Sequence, residues 1–249
     1  VSRAGVSRGR SDRVRARGAI PSPNIWHWPD VYETENRAQD VDGDVFGVLA
    51  EVADWRGRDV LDVGCGAGFH LPRFAAAART VVGVEPHPPL VVAARDRVAG
   101  QSSIRVLHGT AESLPLPDSS VDVVHARTAY FFGSGCGPGI LEAMRVLRPG
   151  GVLAVVDLDA TVAAYGAWMC ADLPHYDPAA VEAFFDVQGF TMRKVRTRWQ
   201  FDDRAALRAV LGIEFSERIA ARAFAETPGL SLDVGYRVHT RTAPTGLVH

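Results

Sequence analysis

The chain has 249 residues, 47% hydrophobic and 22% charged, with a formal net charge of -2. Those proportions suit one globular domain, or one domain with a small elaboration, and exclude wholesale disorder, a collagen-like chain and a coiled coil. No stretch approaches the roughly 18 uncharged apolar residues of a membrane span, and the near-neutral total gives no whole-chain argument for nucleic acid or an anionic surface.

The charge is unevenly spread. Residues 1–18 carry Arg3, Arg8, Arg10, Arg13, Arg15 and Arg17 against Asp12 alone, a local +5 that leaves -7 for the remainder. Residues 1–19 therefore read as a flexible basic leader; a phosphate-binding arm is the other reading. The leader lacks the apolar run of a secretory signal. Lys194 is the only lysine among the 27 Lys and Arg residues, so the abundance of arginine reads as coding bias rather than function. Cys65, Cys136 and Cys170 are too few and too scattered for a disulfide framework or a zinc cluster, and a reducing, cytoplasmic compartment is expected.

Residues 20–249 read as a single domain. Ile20–Asp30, with three prolines and two tryptophans, predicts an ordered loop, and 31–55 a helix whose stripe is Val45, Phe46, Leu49, Val52 and Ala53. Together they make an N-terminal cap over 20–56. Val60, Leu61 and Val63 form a short apolar run stopped by glycines, which predicts a buried strand. A helix over 69–78, a strand over 81–85, a helix over 90–98, and strands over 104–107 and 121–125 follow. A helix over 138–147 then stops at Pro149-Gly150-Gly151, before a fifth strand at 151–158. Strands alternating with short crossovers argue for a doubly wound parallel sheet. Beyond it, 178–188 reads as helix, 190–201 as strand, 203–226 as a helical insertion and 232–242 as strand.

The sharpest chemical signal is Asp62 to Phe69, DVGCGAGF, where the first strand ends. Gly64, Gly66 and Gly68 clear β-carbons from a turn that runs straight into a helix N-terminus. The spacing is Gly-x-Gly-x-Gly rather than the Gly-x-Gly-x-x-Gly of a dinucleotide fingerprint, and Asp62 precedes it. An acid beside bare backbone N–H groups suits a ligand with both an ammonium and a carboxylate. Glu85 closes the second strand, where a carboxylate can accept both hydroxyls of a ribose. Ala111 and Glu112 follow the third strand, placed to read the edge of a base.

With these motifs the chain resembles the class I S-adenosylmethionine-dependent methyltransferases of the small-molecule type, over roughly residues 45–160. The resemblance implies a seven-stranded Rossmann-like sheet in the order 3-2-1-4-5-7-6 with strand 7 antiparallel, and S-adenosyl-L-methionine as cofactor. It also implies cofactor contacts from Asp62, Gly64, Cys65, Gly66, Gly68, Glu85, Pro86, His87, Ala111, Glu112, His125 and Arg127. A Rossmann NAD-dependent oxidoreductase and a non-catalytic cofactor-binding interaction protein are the alternatives.

The acceptor is less legible. His125-Ala126-Arg127-Thr128 stands where the amino-methylating nucleic-acid enzymes carry an Asp/Asn-Pro-Pro-aromatic signature, so a small molecule is expected and nucleic acid is not. No metal is expected, although Asp157 and Asp159 end the fifth strand. The segment IWHWPDVYETENRAQD brings Trp26, Trp28, Tyr32 and Asn36 together with Glu33 and Glu35. It makes either a slot for a planar or cationic acceptor or a pin for the cap. Tyr130, Phe131 and Phe132 form either an aromatic wall or core. The insertion 203–226 is expected to act as a lid. His125, His175 and His27 are the candidate general bases; His70 reads as structural or cofactor-adjacent. No membrane partner is expected, and the assembly is read as a monomer or homodimer.

Overall fold

A computed structural model describes residues 23–246; the basic leader lies outside the described residues. Seven strands form one sheet: β1 (Asp59–Val63), β2 (Thr80–Glu85), β3 (Ile104–His108), β4 (Val121–Arg127), β5 (Leu147–Leu158), β6 (Thr191–Gln200) and β7 (Ser231–Thr242). Their order is β3-β2-β1-β4-β5-β7-β6. Strands β1 to β5 pair in parallel, and β7 runs antiparallel to both its neighbours. The expected order and the reversed last strand are both present.

Alternation along the strands divides the core between the two faces of the sheet. Val60, Val81 and Val123 pack on one face with α3 (Asp44–Val52), α4 (Leu71–Ala75) and α5 (Pro88–Arg97). That face also receives α7 (Ala163–Asp172), α9 (Arg204–Glu214) and α10 (Glu217–Glu226). Leu61, Val82 and Val124 pack on the other, against α6 (Gly137–Val146) and α8 (Pro178–Val187). Both faces are covered, which is why these strands are apolar at successive positions rather than at every second one.

Three predicted elements need correction, and one helix is new. Ile20–Asp30 is not a loop throughout: residues Pro23–His27 form α1 and Pro29 opens α2 (Pro29–Ala38). Proline fits the first turn of a helix, where its missing N–H has no partner to lose. The single helix predicted over 31–55 is two, α2 and α3, broken where Asp40 and Gly43 take positive φ values of 49° and 79°. Asp40 holds the break: its carboxylate accepts the Val45 N–H at 2.9 Å and the Thr197 hydroxyl at 2.8 Å. Strand β5 starts at Leu147, four residues early, and passes through Pro149-Gly150-Gly151 with a register shift against β4. Finally, α7 was not anticipated; its alanine-rich sequence shows little apolar periodicity, yet it buries Tyr165 and Trp168. The insertion 203–226 is two helices whose Leu207, Val210, Leu211, Ile219 and Ala223 lie in the core. Among the described residues no helix is long and apolar enough to cross a membrane.

Candidate active site

A cavity of about 480 Å³ opens at the carboxyl ends of β1, β2, β4 and β5, where a parallel sheet offers its ligand crevice. The turn after β1 forms its floor. Gly64, Gly66 and Gly68 have φ of 72°, 55° and 77°. A Cβ on Gly64 would stand 2.6 Å from the Ala129 Cβ, which has no freedom to move aside. The Gly64 and Cys65 N–H groups donate to the Val84 carbonyl, tying the turn to the end of β2.

Glu85 lines the cavity with both oxygens oriented by backbone: Oε2 accepts the Gly66 N–H and Oε1 the His87 N–H, each at 3.0 Å. Burial raises its carboxyl above the ordinary range, and those two N–H bonds oppose the rise. Each oxygen keeps a lone pair for a ligand hydroxyl. Glu112 Oε2 is buried without a protein partner. Beside it, burial and the Glu112 charge push the Tyr130 hydroxyl up to about 12. Thr128 and Tyr130, both in the cavity lining, hold positive φ values of 45° and 53° on the loop after β4, a strained conformation.

Thirteen of the sequence-derived site residues come together in the lining: Trp26, Tyr32, Asn36, Gly64, Cys65, Gly66, Glu85, Pro86, Ala111, Glu112, Arg127, Tyr130 and Phe132. The rest lie outside it. His125 is 1% exposed and sits beneath the cavity, its Nδ1 2.7 Å from Asp62 Oδ1 and its ring packed on Phe74. Register explains the pair, since Asp62 and His125 are direct partners on adjacent parallel strands. The Asp62 carboxylate therefore points to His125 rather than into the cavity, and His125 does not reach an acceptor. His175 and His27 are exposed and outside the lining. His87 lies outside as well, but stacks on Trp26 with centroids 4.5 Å apart. Trp28 is 48% exposed, Phe131 is 1% exposed in the core beneath α6, and Gly68 packs against Ala94 on α5. Burial pushes the cavity-lining His70 imidazole well below its usual range, so it is neutral.

The far end of the cavity joins Tyr32, Glu35 and Asn36, which the sequence singles out, to groups that it does not: Gln39, Met169, Leu173, Tyr176 and Glu214. Tyr32, Glu35 and Asn36 on one face of α2, with Gln39 just past its end, make a polar stripe in place of the apolar one sought. Gln39 bridges Glu35 and Arg127: its Nε2 donates to Glu35 Oε1 at 2.7 Å, and its Oε1 accepts from Arg127 Nη2 at 2.9 Å. Arg127 also lies 4.9 Å over the Tyr236 ring, with Nε and Nη1 buried and unpaired. Glu214, the last residue of α9, accepts from Asn24 Nδ2 at 2.7 Å and from the Tyr165 hydroxyl at 2.9 Å. Met169 and Leu173 from α7 and its C-terminal end, with Tyr176 just beyond, complete this wall. Asp157 lines the cavity too, with its carboxyl pushed up to about 6 by burial and held back by Arg237. Asp159 faces away and is bound by Thr161.

A family model described as a methyltransferase domain matches residues 61–155. YcgJ, an uncharacterized methyltransferase of Bacillus subtilis, is 33% identical over 119 residues, 47% of each chain. A probable S-adenosylmethionine-dependent methyltransferase of Mycolicibacterium smegmatis is 39% identical over 99 residues, 40% of this chain and 37% of that one. A malonyl-[acyl-carrier protein] O-methyltransferase of Pectobacterium atrosepticum is 33% identical over 111 residues, 45% of this chain and 43% of its own. The chain thus spans less than half the length of each of these relatives. The crystal structure of YcgJ superposes with a TM-score of 0.57 at 20% identity, covering 80% of this chain and 98% of that one, a likeness of fold.

Proposed function

We propose that the chain is a class I S-adenosylmethionine-dependent methyltransferase, as the methyltransferase-domain match over residues 61–155 supports, and that it transfers the cofactor's methyl group to a small-molecule acceptor. The observation that carries the reading is one continuous cavity with two unlike ends. One end has the glycine turn, Glu85 and Glu112; the other has α2, α7 and the end of α9. The dinucleotide alternative draws no support from the three relatives.

The residues present fit the cofactor. The glycine turn packs its backbone directly on Ala129 and lines the cavity without side chains at Gly64 and Gly66, and the free lone pairs of Glu85 suit two ribose hydroxyls. The orphaned Glu112 Oε2 suits a donor on the edge of a base, and the unpaired Nε and Nη1 of Arg127 suit a carboxylate. Pro86 and Trp26, the latter fixed by its stack on His87, offer flat apolar surface beside that base. When bound, the cofactor supplies an electrophilic methyl group on a sulfonium.

The protein's share is placement and proton handling. Tyr130 and Phe132, on the strained loop after β4, wall the region between the two ends, so an acceptor on the far side faces the cofactor across a short gap. Converting two reactants into one oriented pair is itself a large rate contribution. The apolar wall of Met169 and Leu173 excludes water from the reacting groups. An acceptor other than nucleic acid and a cytoplasmic location belong to the same proposal, supported by the excess of acid over residues 19–249 and the three free cysteines.

Calorimetry with S-adenosylhomocysteine should give a one-to-one complex, and NADH should give none. Label from methyl-labelled cofactor should then enter a low-mass fraction of a cell extract. NADH binding without S-adenosylhomocysteine binding, or label confined to protein or high-molecular-weight RNA, overturns the reading.

A further inference from the structure

At the far end of the cavity, Glu35 from α2 and Glu214 from the end of α9 bring two carboxyl groups into contact, 3% exposed in the case of Glu35. Counting donors separates their roles. Both oxygens of Glu214 already accept, from Asn24 and Tyr165, whereas Glu35 accepts only at Oε1, from Gln39. Glu35 lines the cavity, and its Oε2 is buried and meets no donor among the described residues. Two carboxylates in contact, one buried and the other half-buried, do not both ionise readily unless a cation or a proton stands between them. In the free protein that role falls to a proton on Glu35. Burial and the Glu214 charge hold the Glu35 carboxyl well above the ordinary glutamate range, and burial raises Glu214 as well.

The groups around the pair do not supply a second cation. Tyr32 on α2, Tyr165 on α7 and Tyr236 on β7 are all raised by burial and remain neutral, and Asn24 and Gln39 are neutral amides. Among the described residues, Arg127 on β4 is the one arginine or lysine in the cavity lining, and it is turned toward Gln39 and the Tyr236 ring. With both glutamates ionised, the trio with Arg127 keeps one negative charge. A cofactor carboxylate on Arg127 would neutralise even that compensation.

We propose that Glu35 and Glu214 are the specificity-determining pair of the acceptor end and select an amine-bearing small molecule, whose ammonium takes the place of the shared proton. This rests on the methyltransferase reading of the cavity. Glu35 Oε2 is the atom the ammonium meets. Tyr32, Met169 and Tyr176 line the same end and cover the apolar body behind it. A carboxylate ligand would add a further negative charge to the pair. An alcohol would leave the proton in place and gain a single neutral hydrogen bond.

The test uses protein saturated with S-adenosylhomocysteine and three probes of matched shape: 2-phenylethylamine, 2-phenylethanol and 3-phenylpropanoate. The amine should bind at least tenfold more tightly than the alcohol, and the acid should not bind. Titrations in buffers of different ionisation heat should show a proton released per amine bound at pH 7. In Glu35→Gln the amine preference should fall to within threefold, with S-adenosylhomocysteine affinity unchanged. Should Glu35→Gln fail to fold, Glu214→Gln and the wild-type proton release decide the matter. Absence of amine binding, equal affinity for amine and alcohol, or a preference that survives in the folded variant overturns the proposal. Loss of S-adenosylhomocysteine affinity in Glu35→Gln also overturns it, by placing the cofactor's own ammonium at this pair. A wild-type protein that binds no S-adenosylhomocysteine instead refutes the underlying methyltransferase reading, and the proposal with it.

Discussion

The two ends of the cavity are built in opposite ways. At the cofactor end the groups come from short stretches at consecutive strand ends: Gly64–Gly68, Glu85 and Pro86, Ala111 and Glu112. Backbone fixes them, as where Glu85 accepts the N–H groups of Gly66 and His87. At the far end, Asn24, Glu35, Arg127, Tyr165 and Glu214 come from five elements and are fixed by side chains alone. The first end tolerates little change in backbone shape, and the second is tuned by charge. The two should therefore respond differently to substitution.

The largest effect is expected at the turn. Gly64→Ala combines a positive φ with a collision against Ala129, together about 3–4 kcal/mol, so affinity for S-adenosylhomocysteine should fall by two orders of magnitude or more in calorimetry. Gly66→Ala meets only the flexible tip of Ile25 and should lose distinctly less. Equal losses would mean that conformation, not close approach, governs the turn.

Next is Glu85→Ala, which removes charge-assisted bonds worth about 1.5–3 kcal/mol each. Cofactor affinity should drop at least tenfold with the fold retained. An unchanged dissociation constant would place the ribose elsewhere.

His125→Ala leaves Asp62 buried without its partner, at a cost of about 1–3 kcal/mol, seen as a lower midpoint of denaturant unfolding. Turnover per folded molecule should stay within about threefold, because a base hidden under the cavity cannot touch the acceptor. A lost limb in the pH–rate profile with an unmoved midpoint would restore His125 as the base.

The far end should show itself through pH. Glu35 keeps its proton in the folded chain at pH values where the unfolded chain has released it. Its contribution to stability is therefore full below the ordinary glutamate range and is lost as pH rises toward the raised folded value, by at most about 1.4 kcal/mol per pH unit. Glu35→Gln escapes that loss. Its melting temperature relative to wild type should climb between pH 5 and pH 8, and a flat difference would show that the shared proton is not there.

The smallest contrast concerns the cap tryptophans. Trp26 stacks on His87 at the cavity, an arrangement worth about 0.5–1.5 kcal/mol, so Trp26→Ala should weaken cofactor binding severalfold. Trp28→Ala should change it by less than twofold, since that ring stands outside. The reverse ranking would mean that the cap moves when ligand binds.

The same contrast explains what could be read in advance. The sequence by itself determined the strands, their alternation with helices and the glycine turn, because each rests on contiguous residues: apolar runs stopped by glycine or proline, and a Gly-x-Gly-x-Gly spacing; the strand order followed from the family resemblance. Local chemistry also limited what it could show. Asp62 and His125 read as two free groups because nothing in a linear chain reveals that parallel register sets them opposite each other. The break between α2 and α3 depends on Asp40 reaching Thr197, and α7 on burying aromatic side chains that its alanine-rich pattern does not advertise. Only the tertiary structure decided the far end. Glu35 and Glu214 are ordinary surface-type residues on their own helices. They become an acidic pair with one proton between them when α2, α7 and α9 close over the same strand ends and exclude the water that would have kept both charged.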